Sequence, residues 1–494
     1  DTDRQTERWV SFGEGVMEAV MEKRQFYING KWVGPSVVND FDVIDPATEE
    51  VCAVISLGGQ ADTDAAVAAA RAAFPAWANT PLQERIALVK KLGEVYVARR
   101  NDMAEAMRIE MGAPVDLARG VQWGVGAWHL KGFLAALENF HFEYAMGTDR
   151  MRKEPIGVCG MITPWNWPMN QVFLKAIPAL LVGCTMVLKP SEIAPLSSLV
   201  FTEMVDDAGF PPGVFNMVNG DGLGVGTQLS SHPDVDMISF TGSTRAGIAI
   251  SKAAADTLKR VSLELGGKGA NIIFADADAD AVKRGVTHCM QNSGQSCNAP
   301  TRMMVERSRY AEAVQQAKAA AEATQVGPTT ESGPHIGPVV SELQFTKIQG
   351  LIETGIKEGA TLVAGGLGRP DGISKGYYVR PTVFADVTPD MTIYREEIFG
   401  PVLAISPFDD EAQAVRMAND TPYGLTNYVQ TQDDDKRLRV ARQLRSGMVE
   451  TNGMSRVNGS PFGGYGQSGN GREGGTWGLE EFCETKAISG VPMT

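Results

Sequence analysis

Hydrophobic and polar positions change rhythm along the chain, and each change predicts an element. FYINGKWV, Phe26 to Val33, sets apolar residues on both sides of an Asn-Gly pair, the strongest short-range signal for a β-hairpin. Helical periodicity follows in ADTDAAVAAARAAF and again from Leu82 to Met111, with Asp or Thr at the starts. Short apolar runs then recur in GVCGMITPWNWP, TMVLKPSE, VFNMVNGDG, MISFTGSTRAG and SLELGGKGANIIF, each broken by Gly, Pro or Ser and separated by helix-length text. Short buried strands alternating with helices predict a parallel sheet in a doubly wound α/β domain over roughly residues 159–266, with ligands at the strand C-terminal ends. A second α/β stretch, from about 267 to 460, carries TRMMVERS, ATLVAGG, YYVRPTVFADV, PVLAISPF, TNYVQTQ and GMVETNG as strands. No repeat, low-complexity segment or linker divides the halves, so tightly packed domains with a cleft between them are expected.

Composition narrows the class. At 494 residues the chain exceeds one ordinary core, and 43% hydrophobic with 21% charged residues is a globular balance. The net charge of −14, with no basic run to track phosphates, argues against a nucleic-acid partner. Acidity of this kind keeps molecules apart and names no substrate. The longest apolar run, Ala176 to Leu188, carries Pro178 and falls short of the roughly 20 residues of a spanning helix, so no membrane partner is expected. The N-terminus is charged throughout and lacks an apolar signal core, which makes a cytoplasmic location the expectation.

Six cysteines stand at 52, 159, 184, 289, 297 and 483 with neither a C-x-x-C pair nor a His at zinc-ligand spacing, so no metal site is expected. Five read as small buried hydrophobes. Cys297 differs, because in NSGQSCNAP its neighbours are small or polar; it is either reactive or inert. In a turn at a helix N-terminus, backbone amides would lower its pKa and hold an oxyanion, and Asn166 of PWNWP would add a side-chain donor. Glu264 ends an apolar strand just before Gly266 and Gly267; it is a general base if its pKa is raised, and a capping or solvated acid otherwise. FTGSTRAG spaces Gly242 and Gly247 across a strand-to-helix turn that could receive a pyrophosphate. It is neither a P-loop nor a G-x-G-x-x-G fingerprint, and a plain glycine-rich turn has the same pattern. Lys189 and Glu192 in VLKPSE would hold ribose hydroxyls or form a surface ion pair. A thiol, an amide donor, a carboxylate and a dinucleotide site together fit one reaction. A hemithioacetal gives a hydride to a nicotinamide and leaves a thioester, which activated water hydrolyses.

The ordered motifs TPWNWP, LKPSE, GFPPGVFNMV, FTGST, LELGGK, GQSCNA, EEIFGPV and PFGGYGQSGNGREGG resemble the aldehyde dehydrogenase superfamily, from about Phe26 to Gly490. The resemblance implies the hydrolytic, NAD(P)-dependent type. It makes Cys297 the nucleophile, Asn166 with the Cys297 amide the oxyanion hole, Glu264 the base for deacylation, and Lys175 a support for Asn166 and its network. It places Lys189 and Glu192 at the adenosine ribose, Trp165 and Ser243 near the pyrophosphate, and Glu397 and Phe399 at the nicotinamide ribose and ring. Glu192 suits a free 2′-hydroxyl, so NAD is preferred and NADP stays open. The implied fold is α/β. A dinucleotide-binding domain covers 25–141 and 159–266, and a catalytic domain covers 267–484. A small β oligomerisation element covers 142–158 and 485–494, serving a homodimer or homotetramer.

Two departures stand out. Residues 1–24 precede the usual start; they read either as a plain ordered extension or as an amphipathic helix on which Trp9, Val16 and Val20 would pack against the body or a neighbour. The loop NGMSRVNGS carries Arg456, either a holder of carboxylate-bearing aldehydes or a solvent-facing residue. By resemblance the substrate tunnel is lined by Trp167, Asn170, Gln171, Leu174, Gln291 and Phe462, a polar mouth that predicts a small or polar aldehyde. Three rivals are a cysteine hydrolase activated by a histidine such as His288, a CoA-acylating enzyme, and a binding protein that has kept the fold. Glu264 argues against the second, since hydrolysis needs a base.

Overall fold

The computed structural model describes residues 20–491. Two seven-stranded sheets carry most of the chain. The first runs, edge to edge, Arg260–Glu264, Met237–Thr241, Val158–Ile162, Thr185–Lys189, Phe215–Met217, Phe26–Ile28 and Lys31–Val33. Its first five strands are parallel, and the last two are the expected hairpin, added antiparallel at one edge. Asn29 and Gly30 turn that hairpin at φ 52° and 73°, the left-handed pair that matches strand twist. The central strands are buried at every position, as parallel strands covered by helices on both faces must be.

The long apolar run does not stay one element. It splits at Gly183, whose φ of 103° ends the helix Pro168–Val182 and lets the strand Thr185–Lys189 begin. That helix is buried along its whole length except at Asn170 and packs beside Trp123–Ala136. Asn166 to Asn170 therefore sit where a parallel strand hands over to a helix.

The second sheet orders Thr361–Ala364, Thr382–Ala385, Val402–Phe408, Arg302–Glu306, Ala270–Ile273, Thr426–Gln430 and Met448–Thr451, with an antiparallel first edge and parallel strands beyond it. The run SLELGGKGANIIF therefore belongs to both sheets. Its first half ends one at Glu264 and its second half opens the other at Ala270. The intervening glycines carry the chain between the sheets, and a Cβ on Gly267 would lie 2.6 Å from the Cys297 carbonyl oxygen.

Two three-stranded sheets complete the fold. Cys483–Ile488, Asp149–Pro155 and Glu143–Met146 pair antiparallel. The C-terminal strand thus begins two residues earlier than the expected segment, and Val158 already belongs to the first large sheet. The other small sheet takes in the end of the segment read as an extension. Met21–Lys23, inside the supposed extension, is a strand parallel to Glu50–Ser56, because its alternating burial presents Met21 and Lys23 to the body. Trp9 and Val16 lie outside the described residues, and Val20 is exposed. Among the described residues no helix is long and apolar enough to cross a membrane.

Candidate active site

Cys297 lies in a turn between the helix Ala281–Met290 and the strand Arg302–Glu306. No helix starts there, so the expected lowering of its pKa by helix amides does not occur. Burial, and then the carboxylates of Glu397, Glu264 and Glu473, push the thiol up. Cys297 is half-buried, whereas the other five cysteines are buried and all six are free.

The approach to this turn is unusual backbone. Asn292, Ser293 and Gly294 hold φ of 52°, 57° and 74°, and a Cβ on Gly294 would lie 2.0 Å from the Gly400 carbonyl oxygen. Side-chain amides brace it. Gln295 accepts from the Val340 amide and donates to the Asn292 carbonyl, while Asn292 and Gln122 both donate to the Asn166 carbonyl. Asn166 Nδ2 donates to the Gln295 carbonyl at 3.1 Å, which aims the amide at the cysteine turn. One of its two hydrogens stays unused. The Cys297 N–H likewise donates to no backbone carbonyl among the described residues. Trp167 Nε1 holds the Ser296 hydroxyl at 2.8 Å, fixing the residue before the thiol.

Glu264 is 2% exposed at its strand's end, and neither carboxylate oxygen has a hydrogen-bond partner among the described residues. Burial, reinforced by Glu473, raises its pKa well above the carboxylate range. Its Oε1 lies near Gly463 and Gly471, where a Cβ would approach to 2.7 and 2.9 Å, so those two glycines keep its pocket open. Lys175 does not bond Asn166. Its ammonium reaches Glu473 Oε1 at 2.6 Å, in a pair that is 1% and 7% exposed. Glu473 drew no attention in the sequence; the only signal was its place in GREGG.

Along the cleft, Lys189 Nζ is buried and meets the Pro190 carbonyl at 2.7 Å, Glu192 Oε2 at 3.4 Å and the Gly220 carbonyl. Ser243 caps the helix Thr244–Ala254, its hydroxyl accepting from the Ala246 amide. Gly242 donates to the Glu264 carbonyl, whereas Gly247 lies a turn inside the helix, where its missing side chain admits Leu265. Glu397 Oε1 accepts from the Gly267 amide at 2.9 Å, and burial pushes its pKa up to about 7. Phe399, at φ 61°, meets Trp165 edge to face with centroids 5.4 Å apart.

A cavity of about 230 Å³ opens onto Cys297. Trp167, Asn170, Gln171, Leu174, Gln291 and Phe462 all line it. Arg456 lines it too, but it is neither free nor solvent-facing. Its guanidinium lies 5.0 Å above the Phe462 ring and 3.5 Å from Glu450, whose carboxylate already answers the charge. His129 was missed. It comes from the helix Trp123–Ala136 and bonds Asn170 at 2.6 Å. His288 also lines the cavity, but against the Tyr428 ring, and it makes no hydrogen bond to Cys297.

A doubly wound sheet whose strand ends face a half-buried thiol, an amide donor and a dry carboxylate defines an enzyme working through a cysteine beside a dinucleotide cleft. Comparison with known proteins agrees: the pattern of the Aldehyde dehydrogenase family matches residues 32–488. The chain is 50% identical over 469 residues to a 3-succinoylsemialdehyde-pyridine dehydrogenase of Pseudomonas sp., covering 94% of this chain and 98% of that one. A crystal structure of aldehyde dehydrogenase from Bartonella henselae superposes with TM-score 0.94 at 60% identity, over 95% and 99% of the two chains. A cysteine-to-alanine mutant of aldehyde dehydrogenase C from Pseudomonas syringae, complexed with NAD+ and octanal, matches with TM-score 0.94 at 48% identity, over 95% and 98%. The chain belongs to the aldehyde dehydrogenase family, and it is an enzyme of that class.

Proposed function

We propose that the protein oxidises an aldehyde to a carboxylic acid with NAD, using Cys297 as nucleophile. The observation that carries this reading is the convergence of the Cys297 thiol, the aimed Asn166 amide and the dry Glu264 carboxylate from three separate elements. Sγ adds to the aldehyde carbon, and the oxyanion is received by Asn166 Nδ2 and the Cys297 N–H. NAD, when bound, supplies the acceptor for the hydride that leaves this adduct. Glu264 takes a proton from the water that hydrolyses the resulting thioester, and the Lys175–Glu473 pair fixes the helix that presents Asn166.

The residues of the cleft fit this cofactor. Lys189 and Glu192 would hold the adenosine ribose, and the partly exposed Glu192 carboxylate favours a free 2′-hydroxyl over a phosphate. Trp165, Gly242, Ser243 and the helix N-terminus that Ser243 caps would meet the pyrophosphate, and Glu397 with Phe399 the nicotinamide end. NADP would be the weaker acceptor.

Assay of NAD and NADP reduction over a panel of aldehydes tests the reading. Turnover should need no coenzyme A, vanish in Cys297→Ala, and stall in Glu264→Gln with an acyl thioester visible by intact-protein mass spectrometry. Turnover that needs coenzyme A would instead favour the acylating reaction. The relatives' names point to tails of opposite character, a pyridine-bearing semialdehyde and octanal. Amides at Asn170, Gln171 and Gln291 support a small or polar tail here. A homodimer or homotetramer built on the Glu143–Met146 to Ile488 sheet, which light scattering would size, and a cytosolic site consistent with six free thiols complete the proposal.

A further inference from the structure

Among the described residues, five ionisable side chains line the cavity that opens onto Cys297: His129, His288, Cys297 itself, Arg456 and Glu473. Burial lowers the pKa of His129 to about 4 and that of His288 below its ordinary value, so neither ring carries charge at neutral pH. Glu473 is paired with Lys175. Arg456 is therefore the one cation in the wall, and the one group there that could answer an anionic tail.

Three contacts hold it. The guanidinium lies 5.0 Å above the Phe462 ring, Nη1 donates to the Pro461 carbonyl at 3.3 Å, and Nε faces Glu450 Oε1 at 3.5 Å. Glu450 comes from the strand Met448–Thr451 at the edge of the second sheet. It does not line the tunnel but a neighbouring cavity of about 1090 Å³, which meets the tunnel at His288 and Gln291. Glu450 thus stands behind Arg456 and reaches the tunnel through it. The two side chains are 24% and 12% exposed, a partly dry setting in which burial raises the Glu450 pKa and Arg456 draws it back. A guanidinium so matched presents no net charge to what passes it. A carboxylate tail would give up its water for a cation already answered and bring a second anion towards Glu450, whereas an uncharged tail loses nothing comparable.

We infer that the Arg456–Glu450 pair makes the tunnel select aldehydes with uncharged tails and reject those ending in a carboxylate, with Glu450 as the positioning residue that acts by matching Arg456. The inference rests on the aldehyde-oxidising reading above.

The test compares kcat/KM with NAD for length-matched pairs: succinic semialdehyde with butanal, glutaric semialdehyde with pentanal, and adipic semialdehyde with hexanal. Mildly alkaline buffer keeps Glu450 ionised. Wild type should favour the alkyl member of every pair by more than about 10-fold, because the carboxylate is desolvated without a counter-charge. Glu450→Gln frees the guanidinium and should raise the semialdehyde-to-alkanal ratio of the best-fitting pair roughly 10- to 100-fold, the size of a charge-assisted hydrogen bond, through KM for the semialdehyde rather than kcat. Glu450→Ala carries the same expectation should the first variant fail to fold. Arg456→Met alone should not raise the ratio, and Arg456→Met/Glu450→Gln should lose most of the gain; a merely structural change at Glu450 would shift both members of a pair alike. A wild type that oxidises a semialdehyde as well as its alkanal, ratios unmoved in the Glu450 variants, or a gain that survives Arg456→Met overturns the inference and leaves the aldehyde reading standing. Failure of wild type to oxidise any of the six overturns both.

Discussion

Replacing Glu473 by Gln tests the ion pair at the centre of the site through two independent readouts. At 2.6 Å, and with an effective dielectric constant near 20, the attraction between Lys175 and Glu473 is about 6 kcal/mol. Removing both charges from water costs several kcal/mol per ion, so the intact pair contributes little net stability. Breaking it from one side is another matter: the Lys175 ammonium, 1% exposed, is left without a counter-charge, and the expected loss is about 3–5 kcal/mol. Urea unfolding at fixed protein concentration should show that loss as a lower midpoint. The double variant Lys175→Met/Glu473→Gln should recover most of it, since no unpaired charge remains. The second readout is the pH profile. Glu473 raises the pKa of both Cys297 and Glu264, so its neutralisation should move the alkaline-rising limb of kcat/KM to lower pH. A stability loss below about 1 kcal/mol, or a limb that moves to higher pH, would refute the reasoning.

Other expectations follow from single residues. Gly294→Ala places a methyl against the Gly400 carbonyl at a left-handed φ, and should cost more than about 3 kcal/mol with loss of soluble protein, read by expression and thermal melting. Burial holds a proton on Glu397 up to about pH 7, whereas the unfolded chain releases it near pH ~4.3. Its contribution to stability is therefore complete below the unfolded value and lost as the pH rises through about 7, and Glu397→Gln should remove that part of the slope. Ionised Glu397 is also the better acceptor for ribose hydroxyls, so KM for NAD should fall as the pH rises through about 7 in wild type and stay flat in Glu397→Gln. Glu192→Ser removes the charge that disfavours a 2′-phosphate; the ratio of kcat/KM for NAD over NADP should fall several-fold, and an unchanged ratio would detach Glu192 from cofactor choice.

The sequence by itself determined the strands of the two large sheets and their order of appearance, because burial on both faces writes continuous apolar runs and an Asn-Gly pair writes its own turn; the partly exposed strands Met21–Lys23, Asp40–Asp45 and Glu50–Ser56 went unread. It also singled out Cys297, whose small polar neighbours set it apart from five buried thiols, and the glycines flanking Glu264, which only close backbone approach explains. Tertiary structure alone decided what those groups feel. Lys175 finds Glu473 across 298 positions, Arg456 is matched by Glu450, and His129 fixes Asn170 from a neighbouring helix. The thiol's pKa went the opposite way from the helix-terminus expectation because burial, and then three carboxylates from distant segments, act on a turn with no helix behind it. Local pattern records backbone conformation and burial, which each residue expresses within a few neighbours. A pairing between side chains from different elements changes neither, so it leaves no trace until the chain is folded.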